Sequence, residues 1–138
     1  MSILLSVFAE VLERTGVKHA LVVHSADGMD EISSLVPTEV IEYSGGQFCS
    51  FLIEPEIFLV PEECCGTLAG GTPEHNSRIL TDILSGIDRS AKRGAVLLNA
   101  AALCMAFGIV DNLRDGVAAA RKSIDSGAAA AKFAEVCE

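Results

Sequence analysis

Four consecutive apolar residues, Ala20-Leu21-Val22-Val23, constrain this chain more than any other feature. With Lys18, His19 and His24 around them they read as a short strand over 18–24. A strand apolar at every central position has no face for water, so it needs strand neighbours and cover on both faces. Two further strand-like runs, 38–44 and 47–54, are joined by Gly45-Gly46, a hairpin signal. A hairpin alone supplies few neighbours, so patterning points to a sheet that is only partly present in this chain.

Helices are easier to find. Residues 2–15 carry Ile3, Leu4, Val7, Phe8, Val11 and Leu12 at helical spacing, a stripe expected to face inward, and Gly16 is a natural stop. Thr72, Pro73 and Glu74 suit a helix start, Ile79, Leu80, Ile83 and Leu84 supply its buried stripe, and Gly86 ends it. Residues 90–107 are apolar nearly all round, which predicts a core or interface helix. A further helix is expected over 113–126, with Asn112 as its cap. Leu113, Val117, Ala120 and Ile124 face inward and Gly127 closes it. The tail from Ala128 reads as a last short helix. The chain is thus one mixed α and β unit, with a few strands and about five helices, and without linker or repeat.

Composition removes several function classes. The net charge is −9 and the ten Lys and Arg are scattered, so there is no basic face to neutralise phosphates and no nucleic-acid partner is expected. The longest nearly apolar stretch, 95–110, is shorter than the roughly 20 residues of a membrane span and contains Asn99, so it reads as a buried helix. Hydrophobic residues make up 50% of the chain, too many for disorder. The five cysteines are odd in number and lack framework spacing, which predicts reduced thiols in a cytoplasmic protein. The first residues lack the basic start and cleavage site of a signal peptide.

For chemistry, Asp30-Glu31 is the leading candidate. The pair follows the strand 18–24 across an Asp27-Gly28 turn, and ligands of α/β sheets gather outside the carboxyl ends of strands. Adjacent carboxylates suit a hard cation such as Mg²⁺, which takes oxygen ligands and keeps several waters. The bland reading is a solvated acidic turn. His24 reads as a structural hydrogen bonder, Gly70-Gly71 as the approach to a helix, and Asn99 as a buried amide bonded to backbone or a neighbouring helix. Arg78, Arg89, Lys92 and Arg93 form only a loose basic group, which reads as part of a solvated face. No Ser-His-Asp or Cys-His arrangement, phosphate loop or dinucleotide fingerprint is present, so no catalytic residue is assigned.

Taken together, five segments resemble anthranilate phosphoribosyltransferases. The run from Ala20 to Ser33, with Asp30-Glu31 inside it, looks like that family's strand and metal-binding signature. Pro37-Thr38 matches the end of its Gly-Pro-Thr. Leu68 to Asn76 is similar to its approach to a late helix, and Val96 to Leu103 and Ser123 to Ala128 look like its C-terminal helices. The resemblance implies an α/β fold: the C-terminal part of the large α/β domain of a nucleoside phosphorylase or phosphoribosyltransferase type. It implies Mg²⁺ on Asp30 and Glu31, with phosphoribosyl pyrophosphate and anthranilate as substrates in tryptophan biosynthesis. The family's N-terminal helical subdomain, glycine-rich pyrophosphate loop and anthranilate-holding residues have no counterpart in residues 1–138, so this chain alone is expected to be inactive. Val36 stands where the family usually has glycine, and Gly94 where an aspartate is common.

Two other readings stand beside this one. The first is a non-catalytic binding or oligomerisation module that uses apolar surface left by the missing half, through which a homo-oligomer would form. The second is a relative of the pyrimidine nucleoside phosphorylases, which share the general fold.

Overall fold

A computed structural model describes residues 3–137. Five helices and three strands run in the order α1 (Ile3–Arg14), β1 (His19–Ser25), β2 (Thr38–Ser44), β3 (Gln47–Ile53), α2 (Pro73–Leu84), α3 (Ala91–Ala106), α4 (Leu113–Asp125) and α5 (Ala128–Cys137). Two short 3₁₀ turns, Pro55–Ile57 and Pro61–Cys64, connect the sheet to the helices. The predicted elements are all present, with ends shifted by a residue or two.

The strands form one antiparallel sheet in the order β1-β2-β3. Gly45 and Gly46 make the β2–β3 turn, both with positive φ, as a two-residue hairpin turn of type I′ requires. Tyr43 and Phe48 face each other across this hairpin with ring centroids 5.0 Å apart. Strand β1 alternates its side chains between two layers. Leu21 and Val23 pack into the main core with α3, while Val22 packs with Leu5 and Ala9 of α1 and with Ile41. The apolar strand therefore has a helix on each face, as its composition demanded. Among the described residues, however, only β2 pairs with it.

The main core joins Ile32, Val40 and Ile53 to Leu97, Leu98 and Ala101 of α3, and to Leu113, Val117 and Ile124 of α4. Each fully buried Leu or Ile contributes roughly 1.5–3 kcal/mol of hydrophobic stabilisation. The helix ends follow their sequence signals. Thr72 accepts from the His75 N–H at 3.3 Å and Asn112 accepts from the Asp115 N–H at 2.9 Å. Leu113, Val117 and Ile124 face inward as expected, and Ala120 packs half-buried against the same core.

In α2, Ile83 is buried as expected and Ile79 and Leu84 are half-buried, but Leu80 of the expected buried stripe is exposed. Two larger expectations are also corrected. In α1, Leu5 and Ala9 are the buried residues, and most of the expected inward stripe faces water: Ile3, Leu4, Val7, Phe8 and Val11 are exposed. The helix is apolar on two sides, and the sheet needs only the smaller one, where Ala9 lets the backbones approach. The second correction concerns Arg93, which is buried instead of lying on a solvated face. Its Nε donates to Glu63 Oε1 at 3.2 Å and its Nη2 donates to Asp125 Oδ1 at 2.8 Å; Arg121 donates to Glu63 Oε2 at 2.6 Å. Glu63 and Arg93 are each 3% exposed. This cluster ties the Pro61–Cys64 turn to α3 and α4. It was invisible as a pattern because its partners lie 30 and 32 residues from Arg93.

Two glycines set how closely these elements approach. A Cβ on Gly116 would lie 2.8 Å from the Ala101 Cα, so α3 and α4 touch backbone to backbone there. A Cβ on Gly94 would lie 2.2 Å from the Glu63 carbonyl oxygen and 3.0 Å from the Ser34 Cβ. Glycine at 94 thus has a physical reason: any side chain, an aspartate included, would push the Pro61–Cys64 turn off α3. Gly94→Ala is expected to destabilise the chain by about 3 kcal/mol, the upper end of the overpacking range. Thermal and urea denaturation followed by circular dichroism would check this, and a change under about 0.5 kcal/mol, the usual size of a surface effect, would show that the contact is not required.

Candidate functional site

The candidate acidic pair lies on the loop between β1 and β2, residues 26–37, at the carboxyl end of β1. The loop is closed at its base by backbone bonds from the Ala26 N–H to the Pro37 carbonyl at 3.0 Å and from the Gly28 N–H to the Ser25 carbonyl at 3.0 Å. Gly28 has φ of 84°, so the turn needs a residue that enters the left-handed region freely. Asp27 then organises the interior. It accepts from the Ser33 hydroxyl at 2.8 Å and from the Met29 N–H at 3.2 Å. Ser33 in turn accepts from the Leu35 N–H at 3.1 Å, and Ser34 donates to the Ala91 carbonyl at the start of α3 at 2.6 Å. Val36, where glycine is usual, is half-buried and has no positive φ, so this loop does not require glycine there.

Asn99 of α3 holds the centre of the loop. Its Oδ1 accepts from the Ile32 N–H at 3.0 Å, and its Nδ2 donates to the Ile32 carbonyl at 2.8 Å and to the Ala95 carbonyl at 2.8 Å. One amide thus satisfies both backbone groups of the residue that follows Glu31. Ile32 is 1% exposed and anchors in the main core. The contrast along five residues is sharp: Asp30 and Glu31 are exposed, while Ile32, Ser33 and Ser34 are buried. The loop presents two carboxylates to solvent on a base fixed to β1 and α3.

This donor set fits one kind of ion. Among the described residues no group of three or more His, Cys, Asp or Glu side chains converges. Asp27, the nearest further carboxylate in sequence, is engaged by Ser33 and Met29. Two exposed carboxylates suit Mg²⁺, which keeps most of its waters and completes its shell with substrate phosphates. They do not suit a metal that needs four protein ligands.

A cavity of about 330 Å³ reaches the loop at Met29 and is also lined by Gly70, by Asn76, Ile79 and Leu80 of α2, and by Lys92 of α3, but not by Asp30 or Glu31. The structure thus brings the acidic loop and the Gly70-Gly71 segment to one place. Asn76 fixes that segment: it accepts from the Gly71 N–H at 2.8 Å and donates to the Gly71 carbonyl at 3.2 Å. A Cβ on Gly70 would lie 2.8 Å from Asn76 Oδ1, so both glycines serve the approach to α2. Lys92 donates to the Thr67 carbonyl at 2.7 Å and borders the cavity. His24 stands exposed at the end of β1, opposite Glu39 in the strand register. Sequence reasoning marks the Asp27-Gly28 turn but gives Ser33 and Ser34 no role, although a Ser pair after such a turn is a recognisable turn chemistry.

The chain matches the glycosyl transferase family, a/b domain, over residues 2–130, and belongs to that family. More particularly, it is 44% identical to the anthranilate phosphoribosyltransferase of Rubrobacter xylanophilus over 89% of its own length and 36% of the relative's. It is 39% identical to that of Desulfosudis oleivorans over 98% of its own length and 40% of the relative's. Among solved structures it resembles the Thermus thermophilus enzyme, with TM-score 0.75 and 35% identity over 91% of this chain and 36% of that one. It also resembles the Saccharomyces cerevisiae enzyme in complex with PRPP and Mg, with TM-score 0.74 and 27% identity over 91% of this chain and 36% of that one. The chain therefore spans under half the length of these relatives.

Two predictions follow from the loop's wiring. Asn99→Leu keeps the volume but strips Ile32 of both partners, and is expected to cost about 1–3 kcal/mol per stranded backbone group. Faster amide exchange at Ile32, with the α2 amides unchanged, would confirm it; unaltered exchange at Ile32 would refute the clamp. The second concerns acid. The Asp27 carboxyl is held below the usual range, chiefly by the Ser25 hydroxyl. Slight desolvation opposes this, and Ser33 and the Met29 N–H add to it. A lowered folded-state value means that the stabilisation is present above the unfolded value of about 3.9 and is lost as pH falls through the lowered one. The loop should stay closed down to about pH 4. An NMR titration placing the Asp27 midpoint above 3.9 would overturn this.

Proposed function

We propose that this chain carries the Mg²⁺-holding part of an anthranilate phosphoribosyltransferase. On this reading, residues 1–138 are the C-terminal part of the enzyme's α/β domain, and the helical subdomain and the first half of that domain lie outside them. The carrying observation is a 39–44% identity to two such transferases across nearly the whole chain, in a span that includes the acidic loop. The same relatives favour the transferase over the nucleoside phosphorylase reading.

In the reaction, the amine nitrogen of anthranilate forms a bond to the anomeric carbon of the ribose, the bond from that carbon to pyrophosphate breaks, and the amine gives up a proton. Negative charge accumulates on the departing pyrophosphate, and Mg²⁺ supplies the charge that stabilises it. Asp30 and Glu31 would hold that ion. Their own role is orientation: the loop base, fixed by Asp27 and Asn99, presents both carboxylates without rearrangement, which is the pre-organisation that positioning catalysis requires. Among residues 3–137 no side chain is assigned to anthranilate or to proton transfer; on this reading the substrate-holding residues would lie in the portion of the relatives that this chain does not match. The protein would act in the cytoplasm, in tryptophan biosynthesis.

The test has two arms. The chain alone, with anthranilate, phosphoribosyl pyrophosphate and Mg²⁺, is expected to show no loss of anthranilate fluorescence; turnover there would refute the incomplete-site reading. Asp30→Ala/Glu31→Ala is expected to weaken Mn²⁺ binding, read by electron paramagnetic resonance, by at least the roughly 10- to 100-fold that loss of an outer-shell partner costs. Equal Mn²⁺ affinity in the double variant would remove the metal role.

A further inference from the structure

The buried ion pairs between the Pro61–Cys64 turn, α3 and α4 leave one donor unused. Arg93 spends its Nε on Glu63 and its Nη2 on Asp125, but its Nη1 is buried without an acceptor among the described residues. Buried polar groups of native proteins are hydrogen-bonded in the great majority, so an orphaned guanidinium N–H asks for an acceptor. Arg93 also lines a cavity of about 360 Å³, together with Glu62 and Glu63 of the turn, Arg89 just before α3, and Arg121 and Asp125 of α4. That volume lies at the small end of the range of ligand sites, about 300–1,000 Å³. None of these residues belongs to the acidic loop 26–37, so the cavity is separate from the candidate metal site.

The cavity carries as many carboxylates as guanidiniums, so geometry decides which sign of ligand it favours. Both oxygens of Glu63 are engaged: Oε1 accepts from Arg93, and Oε2 accepts from Arg121 and from the Val60 N–H at 3.3 Å. Asp125 accepts from Arg93 Nη2, and Glu62 is exposed. Among the described residues, Arg89 enters no hydrogen bond or ion pair, and Arg121 uses only its Nη2. What remains unspent is donor capacity. We infer that this cavity binds a small oxyanion, phosphate or carboxylate, held by Arg93 Nη1 together with Arg89 and Arg121. Guanidinium forks match the paired oxygens of either group. The Arg93 side chain is 4% exposed, so binding entails a shift of the rim, where Arg89 is exposed and unrestrained. The anion would clamp the turn to the start of α3, where Ser34 of the acidic loop bonds to the Ala91 carbonyl. The inference does not depend on the transferase reading.

The test titrates the whole chain with inorganic phosphate at fixed ionic strength and without divalent cation, followed by NMR of the arginine side chains and by thermal denaturation. Saturable shifts at the Arg93 guanidinium are expected, with a melting midpoint that rises as phosphate is added. Arg89→Gln, at an exposed position outside the ion pairs, is expected to weaken phosphate binding about tenfold, the loss of one charge-assisted hydrogen bond. Arg78→Gln on α2 removes an equal charge away from the cavity and should leave the affinity unchanged. Acetate in place of phosphate assigns the class: tighter phosphate binding marks a phosphoryl ligand and tighter acetate binding a carboxylate, and either supports the site. Equal responses to phosphate, acetate and chloride would mean screening alone and would overturn it. So would an unchanged affinity in Arg89→Gln, or the same loss in Arg78→Gln as in Arg89→Gln. A crystal grown in phosphate with only water at Arg93 Nη1 would also sink the proposal. Failure of the transferase reading would move none of these readouts.

Discussion

The carboxamide of Asn99 joins the two halves of this molecule. It lies in the middle of α3 and takes up both backbone groups of Ile32, 67 residues earlier in the chain. Without it, a loop of twelve residues would cross the edge of the core with buried, unpaired polar groups, a cost that folded proteins avoid. With it, Ile32 enters the core as a hydrophobic anchor and Ser33 and Ser34 follow. The exposed Asp30 and Glu31 are left on a base that cannot drift. A metal loop made only of exposed residues would have to be ordered by its ligand, and would lose affinity in doing so.

The helix that supplies Asn99 is also the centre of the packing. Its start meets the Pro61–Cys64 turn through Gly94 and the buried Arg93–Glu63 pair, its middle meets α4 at the Ala101–Gly116 contact, and one face covers β1. Removing one partner of such a buried pair strands the other, which typically costs 3–5 kcal/mol. The connections differ in kind, and each one limits how far α3 can shift. The position of the acidic pair is thereby tied to contacts on the opposite side of the domain. Gly94 also shows how a departure from a family's usual residue is absorbed: the backbone of Glu63 occupies the space a side chain would need.

The β1 edge and the outer face of α1 read differently. Among the described residues, α1 has more apolar surface than its sheet can bury, and β1 has a partner on one side only. The chain matches under half of its relatives' length.

The sequence by itself determined the elements and marked the candidate acidic pair. Local signals carry that information: the Gly45-Gly46 turn, the caps at Thr72 and Asn112, the apolar run at Ala20–Val23, and carboxylates just past a strand end. It also marked Asn99 as a buried amide in need of backbone partners, without showing which. What only the tertiary structure decided was which partners meet. Periodicity placed the apolar stripe of α1 inward, but a helix that is apolar on two sides carries no information about which side the sheet will take. Composition placed Arg93 on a wet face, but its partners lie about thirty residues away, and no local pattern encodes such a distance. The same holds for Gly94 and Gly116, whose purpose is the closeness of another segment's backbone. Contacts between segments distant in sequence are set by the packing of the whole core, and that is where the base of the candidate site was made.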